Sequence, residues 1–229
     1  MKPVINLAII PARGGSKSIK KKNLIKLGKN TLIEITVNEI IQSKLFDRIV
    51  LTSDSEEILD HAKSLDIDCI KRPKKISLDD SSSEDAVAHV LKKYSTEFNV
   101  KNFGLFQPTS PFRQSHHIIG AYDSFTAMQN KTLISVEKIE KKYLKLFYTF
   151  NNKIKPILKD MPFMPRQQLP DAFLPNGAIY LSQSKHFIKN HSFFSDTLGL
   201  FEMSSTASLD IDSKEDLIRA RAMLENKEN

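Results

Sequence analysis

The sequence predicts an α/β domain in which a mainly parallel sheet is covered by helices on both faces. In the first 136 residues, short continuous apolar runs alternate with amphipathic segments, and such runs are typical of strands buried on both faces of a parallel sheet. The first run ends in a glycine-rich basic loop, at the position where open α/β sheets bind ligands. One proline-rich segment, 137–175, interrupts the alternation.

The elements can be placed in chain order from this pattern. The predicted strands cover residues 7–10, 48–52, 67–70, 103–106, 133–136, 178–181 and 199–203. The predicted helices cover residues 31–43, 54–65, 83–94, 115–128 and 213–224. Thr31 and Glu34 have the spacing of a capping box, and we expect Asp54 and Ser213 to lie at capped helix starts.

The interruption predicts the domain organisation. We expect residues 1–136 and 176–229 to form one α/β domain, and residues 137–175 to form a short hairpin or arm outside the main sheet. Residues 147–150 have a β-like composition within this arm. Long irregular insertions in compact domains are usually functional or packed on a partner.

Composition limits the class of protein. Apolar residues make up 40% of the 229 residues and charged residues 27%, which is ordinary for a globular domain. Cys69 is the single cysteine, so a disulfide within the chain and a zinc–cysteine cluster are excluded. We expect no membrane span, because no apolar run reaches about 18 residues, and a cytoplasmic location, because the start of the sequence lacks a signal-peptide core.

The net charge of +7 suits either nucleic acid or a small polyanion. Lysines are spread along the whole chain, tryptophan is absent, and no aromatic residue interleaves the basic loop. A stacking platform for single-stranded nucleic acid is therefore poorly supported, and we expect no nucleic-acid partner. A basic pocket for a small polyanion explains the charge equally well.

The segment from Arg13 to Lys17, Arg-Gly-Gly-Ser-Lys, is the principal candidate for phosphate binding. Gly14 and Gly15 allow backbone N–H groups to turn inward and form an anion-binding nest. The spacing matches neither a P-loop nor a dinucleotide-binding fingerprint. The alternative is a tight turn followed by a solvated basic segment. The position of the glycine segment directly after the first strand favours phosphate binding.

Asp210 and Asp212 are the candidate metal ligands. On an extended segment, residues two apart point to the same side. Two aligned carboxylates suit a Mg²⁺ ion that also binds phosphate oxygens. Alternatively, Asp212 and Ser213 cap the last helix. The phosphate loop in the same chain makes the metal site the favoured interpretation.

Three further polar loops are candidates for binding small ligands. Arg72 precedes a serine-rich turn that ends at Ser83, where the hydroxyls act as helix caps or contact a base or ribose. Gln107 follows a predicted strand, and prolines fix the path of its loop, so its amide is held in place. Asn176 lies in a Pro-Asn-Gly-Ala segment at the exit of the arm, although Asn-Gly is also a common turn.

Taken together, these motifs resemble the acylneuraminate cytidylyltransferases over residues 7–224. The motifs that carry the resemblance are Ile-Pro-Ala-Arg13-Gly-Gly-Ser16-Lys17 with Lys22-Asn23, Ser53-Asp54, Arg72-Pro, Asp79 to Ser83, Gln107-Pro-Thr-Ser-Pro, Arg166-Gln-Gln-Leu-Pro, Pro-Asn176-Gly-Ala-Ile-Tyr180 and Asp210-Ile-Asp212. The resemblance implies a Rossmann-like, three-layer nucleotidyltransferase domain with a small dimerisation arm. It also implies a reaction in which CTP and a nine-carbon sugar acid give a CMP-sugar and pyrophosphate. The alternative within the fold is an enzyme for an eight-carbon sugar acid.

The resemblance also implies roles for individual residues. The triphosphate and cytidine would be bound by Arg13, Ser16, Lys17, Lys22 and Asn23, with help from Arg72 and Ser83. The sugar pocket would include Gln107, Asn176, Tyr180, Phe193 and Phe194, the two phenylalanines packing on the N-acyl group. Mg²⁺ would be held by Asp210 and Asp212, so that Arg13, Lys17 and Asp212 carry the catalysis. The family is dimeric, and Lys145 and Arg166 of an inserted arm would meet the sugar carboxylate in the neighbouring subunit.

Overall fold

A computed structural model describes residues 1–15, 18–78, 81–129 and 131–228. Within these residues the chain forms eleven strands, six α-helices and four short 3₁₀ turns. The strands are β1 (Val4–Pro11), β2 (Lys26–Leu27), β3 (Asn30–Thr31), β4 (Arg48–Ser53), β5 (Asp68–Lys71), β6 (Asn99–Leu105), β7 (Thr132–Ile139), β8 (Phe147–Phe150), β9 (Lys153–Pro156), β10 (Ala172–Gln183) and β11 (Leu198–Met203). The helices are α1 (Leu32–Ser43), α2 (Glu56–Lys63), α3 (Ser83–Tyr94), α4 (Ser115–Ala127), α5 (Ser184–Asn190) and α6 (Lys214–Glu228).

Seven of these strands form the central sheet in the order β11-β7-β10-β6-β1-β4-β5. Neighbouring strands are parallel except where β10 runs antiparallel to both β6 and β7. The predicted mainly parallel sheet is confirmed, and β10 is the one reversed strand in the described part of the sheet. Because β10 is reversed, its first half lies at the edge where β6 and β7 end.

Strand β1 shows how the sequence makes three layers. Residues 7–10 are all fully buried. Ala8 and Ile10 join a core with α1, α2 and α4, whereas Leu7 and Ile9 join a second core with α3 and α5. Alternate side chains of a strand point to opposite faces, so one continuous apolar run serves both cores. A third apolar cluster packs α6 against Leu32 and Phe112.

The predicted boundaries of the arm differ from the structure. Strands β7 and β10 pair continuously from Val136–Pro175 to Ile139–Ala172, so both boundaries fall inside strands of the central sheet. Beyond these strands lie two 3₁₀ turns and the β8–β9 hairpin, which contains the predicted β-like residues. The hairpin region exposes large apolar side chains, among them Phe150, Ile154 and Phe163.

Helix starts agree with the sequence where a hydroxyl was expected to cap. Thr31 and Glu34 form the predicted capping box of α1, with the Glu34 N–H donating to Thr31 Oγ1 over 3.1 Å.

None of the helices in the described residues combines the length and apolarity that crossing a membrane requires.

Candidate active site

Two cavities adjoin each other at the carboxyl edge of the sheet. The first has a volume of about 330 Å³ and the second about 370 Å³. The first, which we call the nucleotide cavity, is lined by Pro11, Arg13, Lys22, Asn23, Arg72, Ser81, Ser82, Ser83, Gln107, Pro108, Thr109, Asp210 and Asp212. The second, the inner cavity, is lined by Gln107, Glu137, Leu174, Pro175, Asn176, Gly177, Tyr180, Ser208 and Asp210. Gln107 and Asp210 line both cavities and therefore mark their junction.

The glycine loop is held open by contacts to its backbone. The Gly14 N–H donates to Asp54 Oδ1 over 2.9 Å, and Asn23 Nδ2 donates to the Arg13 carbonyl over 3.0 Å. A Cβ on Gly14 would lie 2.8 Å from the Cβ of Ser55, so only glycine allows this approach. Ser16 and Lys17, predicted to bind phosphate, lie outside the described residues.

The expected helix cap at Asp54 is wrong. Ser55 occupies the N-cap position of α2, and its side chain makes no capping hydrogen bond. The Asp54 carboxylate faces the glycine loop instead and accepts from Gly14. Asp54 therefore braces the loop on which Arg13 lies, a role that local spacing alone did not indicate.

Among the described residues, three cations line the nucleotide cavity: Arg13, Lys22 and Arg72. Arg72 is buried, and burial lowers the pKa of its guanidinium; the nearby charge of Arg13 also lowers it, while Asp54 raises it. Its Nε is buried without a hydrogen-bond acceptor. An anion that enters the cavity would accept from this unpaired donor and offset the charges of Arg72 and Arg13.

The serines at the start of α3 divide between capping and lining. Ser82 Oγ accepts from the Asp85 N–H over 3.1 Å, and Ser81 Oγ accepts from the Leu78 N–H over 2.9 Å. The capping interpretation is thus confirmed for Ser82. In the described residues Ser83 has no such role, and it lines the nucleotide cavity at the positive end of the helix.

Asp210 and Asp212 reach the same cavity from the segment before α6. Ser213 rather than Asp212 caps α6, since the Asp216 N–H donates to Ser213 Oγ over 3.2 Å. The Asp212 side chain is 73% exposed and pairs with Lys22 Nζ at 2.8 Å. The segment is fixed by the Ile211 N–H, which donates to the Thr109 carbonyl over 2.8 Å.

The half-buried Asp210 carboxylate has an oxygen that the described protein leaves without a hydrogen-bond donor. Its Oδ1 is buried without a partner. Burial raises the pKa of Asp210 to about 6, and the charge of Asp212 adds to this, while Thr109 and Lys22 act in the opposite direction. The structure describes no cluster of three or more metal-ligating side chains. Two carboxylates with one unsatisfied oxygen fit a Mg²⁺ ion that takes its remaining ligands from phosphates and water.

In the inner cavity, Gln107 and Tyr180 face the space, whereas the Asn176 amide is engaged by the protein. Asn176 Oδ1 accepts from Ser135 Oγ over 2.6 Å, and its Nδ2 donates to Ser208 Oγ over 2.9 Å. Asn176 therefore shapes the wall of the cavity. Gly177 has a φ of +75°, which favours glycine, and a Cβ there would lie 2.6 Å from Gln107 Oε1 and displace that amide.

The structure does not bring Phe193 and Phe194 into this cavity. Phe193 is buried, with its ring 5.1 Å from that of Phe187 and 5.0 Å from that of Tyr180. Phe194 faces a separate space of about 700 Å³ beside α5, with Lys131 and His186. Phe193 thus supports Tyr180 from the core, because the apolar interior takes one ring of the pair and leaves the other outside.

Lys145 and Arg166 lie on the arm, away from both cavities of their own chain. Lys145 ends a 3₁₀ turn, and Arg166 donates to Glu140 Oε2 over 3.2 Å. Neither residue lines the nucleotide cavity or the inner cavity.

Arg113 is a site-forming residue that sequence reasoning did not assign. It is fully buried, and it donates to the Gln107 carbonyl at 3.0 Å, the Ala178 carbonyl at 2.9 Å and Thr36 Oγ1 at 2.9 Å. Burial lowers the pKa of Arg113 to about 10, and the charge of Glu39 opposes this shift. The one available indication was its position in the proline-fixed loop that follows Gln107.

Comparison with known proteins agrees with this geometry. Residues 7–221 match the family model described as Cytidylyltransferase. The chain belongs to the cytidylyltransferase family. It is 30% identical over 224 residues to an N-acylneuraminate cytidylyltransferase of Escherichia coli, a match that covers 96% of this chain and 52% of the relative. The chain thus spans about half the length of the first curated relatives it matches.

A second relative matches along nearly its whole length. The pseudaminic acid cytidylyltransferase of Campylobacter jejuni is 30% identical over 221 residues, covering 95% of each chain. A solved complex of CMP:2-keto-3-deoxy-manno-octonic acid synthetase with CTP superposes with a TM-score of 0.75 at 14% identity, covering 97% of this chain and 99% of that one. At 14% identity this likeness shows only that the two chains share a fold.

We predict that Asp210→Asn stabilises the metal-free protein at pH 8. The folded-state pKa of about 6 lies above the ordinary 3.8, so the buried charge lowers stability above pH 6, and this cost disappears as the pH falls towards 4. In urea unfolding with EDTA present, the free energy of unfolding of Asp210→Asn should exceed that of the parent by about 1–3 kcal/mol at pH 8, and the difference should be smaller at pH 5. The exposed Asp123→Asn should change little at either pH, and a destabilised or pH-independent Asp210→Asn would contradict the assignment.

We predict that Arg113→Lys lowers the free energy of unfolding by about 2–3 kcal/mol, because an ammonium cannot reach three divergent acceptors. Its folded fraction should also have a lower kcat/KM, since Gln107 loses its anchor. Chemical denaturation and steady-state kinetics measure both effects. Arg219→Lys, on the exposed side of α6, is the control. A stability within about 0.5 kcal/mol of the parent would show that Arg113 does not hold the loop.

Proposed function

We propose that this protein is a cytidylyltransferase that joins CTP to a nine-carbon 2-keto sugar acid, giving the CMP-sugar and pyrophosphate. The observation that carries the proposal is the pair of cavities that meet at Gln107 and Asp210. One cavity is rich in cations and suits a triphosphate. The other offers amide, hydroxyl and carboxylate groups, which suit a polyhydroxylated sugar. The two relatives compared above, both cytidylyltransferases named for such sugar acids, support the same assignment.

The reaction follows from this arrangement. The anomeric hydroxyl oxygen of the sugar attacks the α-phosphorus and loses its proton to solvent, the new oxygen–phosphorus bond forms, and the bond to the departing pyrophosphate breaks. Arg13, Lys22 and Arg72 neutralise the triphosphate and the charge that develops on it. Gln107, at the junction, positions the sugar. Because both substrates are held in adjoining cavities, most of the rate gain comes from positioning and electrostatics.

We propose Mg²⁺ as the metal and Asp210 and Asp212 as its protein ligands. The unpartnered Oδ1 of Asp210 supports this choice. A bound Mg²⁺ would neutralise phosphate charge and lower the pKa of the attacking hydroxyl. Lys22, which pairs with Asp212 in the free protein, would then be released towards the phosphates.

The inner cavity is electrostatically incomplete for an acidic sugar. Its described lining contains the carboxylates of Glu137 and Asp210 and no lysine or arginine. The sugar carboxylate needs a cation, and Lys145 and Arg166 lie on the arm. The β8–β9 hairpin exposes Phe150 and other apolar side chains that a partner would cover. We propose a homodimer in which the arm of one protomer completes the inner cavity of the other.

Pyrophosphate release tests the activity directly. The protein is incubated with Mg²⁺, one of the four common nucleoside triphosphates, and a panel of eight- and nine-carbon 2-keto sugar acids. We expect turnover with CTP and a nine-carbon acid, and little with ATP, GTP or UTP. Preference for an eight-carbon acid would shift the substrate class, and no CTP-dependent release with any acid would contradict the proposal.

We predict that Asp212→Asn lowers kcat by at least about 100-fold, the scale expected when one electrostatic stabiliser is lost. The side chain is mostly exposed, so the fold should remain intact by circular dichroism and melting temperature. Asp123→Asn on α4 is the matched control. A folded Asp212→Asn variant with nearly normal kcat would remove Asp212 from the metal site.

We predict that two inactive variants complement each other. In a mixed dimer of Arg166→Ala and Asp212→Asn chains, one site receives an intact arm and intact metal ligands, so part of the activity returns. Subunit exchange is verified by mass tags before the assay. A monomer by light scattering at micromolar concentration, or no recovered activity after verified exchange, would contradict the shared site.

A further inference from the structure

Glu137 is a carboxylate of the inner cavity that the reaction described above does not use. It lies on β7, opposite Leu174 of β10, and both residues line the cavity wall. It is half-buried. In the part of the chain that the structure describes, its carboxylate takes part in no hydrogen bond or ion pair. A half-buried carboxylate at a cavity wall with both oxygens unengaged by the described protein is available to accept hydrogen bonds from a ligand in that cavity.

Strand geometry supports the direction of this side chain. Side chains two apart on a strand share a face, so Glu137 lies on the same side of β7 as Ser135. Ser135 reaches Asn176, which also lines the inner cavity. The next residue, Lys138, faces the other way and pairs with Asp171 at 2.9 Å. The alternation therefore separates a paired, exposed lysine from an unpaired carboxylate in the cavity.

We propose that Glu137 is a specificity-determining residue that accepts hydrogen bonds from a donor group of the sugar, at a position away from the sugar's own carboxylate. This inference rests on the proposed function. An ionised carboxylate offers acceptors only, so it selects hydroxyl, amide N–H or amino groups. It repels a second carboxylate, so the acid group of the substrate is directed away from β7. The substrate class is therefore a sugar acid whose far side carries at least one such donor.

Repulsion and attraction act together in this arrangement. Glu137 lines the inner cavity on the β7 side, so an acid that enters with its carboxylate towards β7 meets a like charge. The opposite orientation brings its donors to Glu137 and leaves its carboxylate free for a cation. One residue thus fixes the orientation in which the anomeric hydroxyl can face the junction with the nucleotide cavity.

The test compares Glu137→Gln, Glu137→Asp and the parent enzyme in steady-state kinetics. The panel is a set of nine-carbon 2-keto acids that differ in one substituent, carrying acylamino, free amino, hydroxyl or hydrogen. We expect Glu137→Gln to raise KM for the best sugar acid by about 10- to 100-fold, the loss typical of a hydrogen bond to a charged group, with KM for CTP within about twofold. The sugar KM of Glu137→Asp, which keeps the charge, should lie between those of the parent and Glu137→Gln. The rise in KM caused by Glu137→Gln should be smaller for the acid that lacks the contacted donor.

Glu202→Gln, on the neighbouring strand β11 and exposed, is the matched control. Unchanged sugar KM and unchanged selectivity in folded Glu137→Gln would overturn the inference. So would an altered oligomeric state or an equal rise in KM for CTP, because either result would assign Glu137 a structural role. If the parent enzyme turns over none of the acids, the proposed function itself is contradicted. If the parent is active but its sugar KM values are the same in Glu137→Gln, only the role of Glu137 is contradicted.

Discussion

The candidate site depends on one buried cation. Arg113 joins the carbonyl of Gln107 after β6, the carbonyl of Ala178 within β10, and the hydroxyl of Thr36 on α1. Arg113 has no exposure, and its two terminal nitrogens find these three acceptors while its Nε has none. The three acceptors belong to elements distant in sequence, so the guanidinium fixes the reversed strand β10 against its antiparallel neighbour β6 at the edge where both cavities lie.

The same chain of contacts extends from Arg113 to the proposed metal ligands, Asp210 and Asp212. With Gln107 held, the loop presents the Thr109 carbonyl, which accepts from Ile211. That bond sets the segment carrying Asp210 and Asp212 beside the nucleotide cavity. On the other side of the cavity, Asp54 holds the glycine loop through Gly14. The cations and carboxylates are thus placed by backbone contacts, and the Oδ1 atom of Asp210 is left buried without a hydrogen-bond partner.

The sequence predicted the parts that local pattern controls. Continuous apolar runs such as 7–10 identified β1 because both faces of that strand are buried. The Thr31–Glu34 box was readable because its partners lie three residues apart. Strand direction was not readable for β10, since its reversal depends on pairing with β6 and β7. Arg113 was missed because a charged residue in a polar loop gives no sign that three distant acceptors will bury it.

We propose that CTP and a divalent metal occupy the cation-rich cavity next to Gln107. Crystals grown with CTP and Mn²⁺, measured at the manganese absorption edge, test it most directly. We expect an anomalous peak within coordination distance of Asp210 and Asp212, and a triphosphate contacting Arg13 and Arg72. A triphosphate elsewhere on the protein, or a manganese peak that touches neither aspartate, would contradict it.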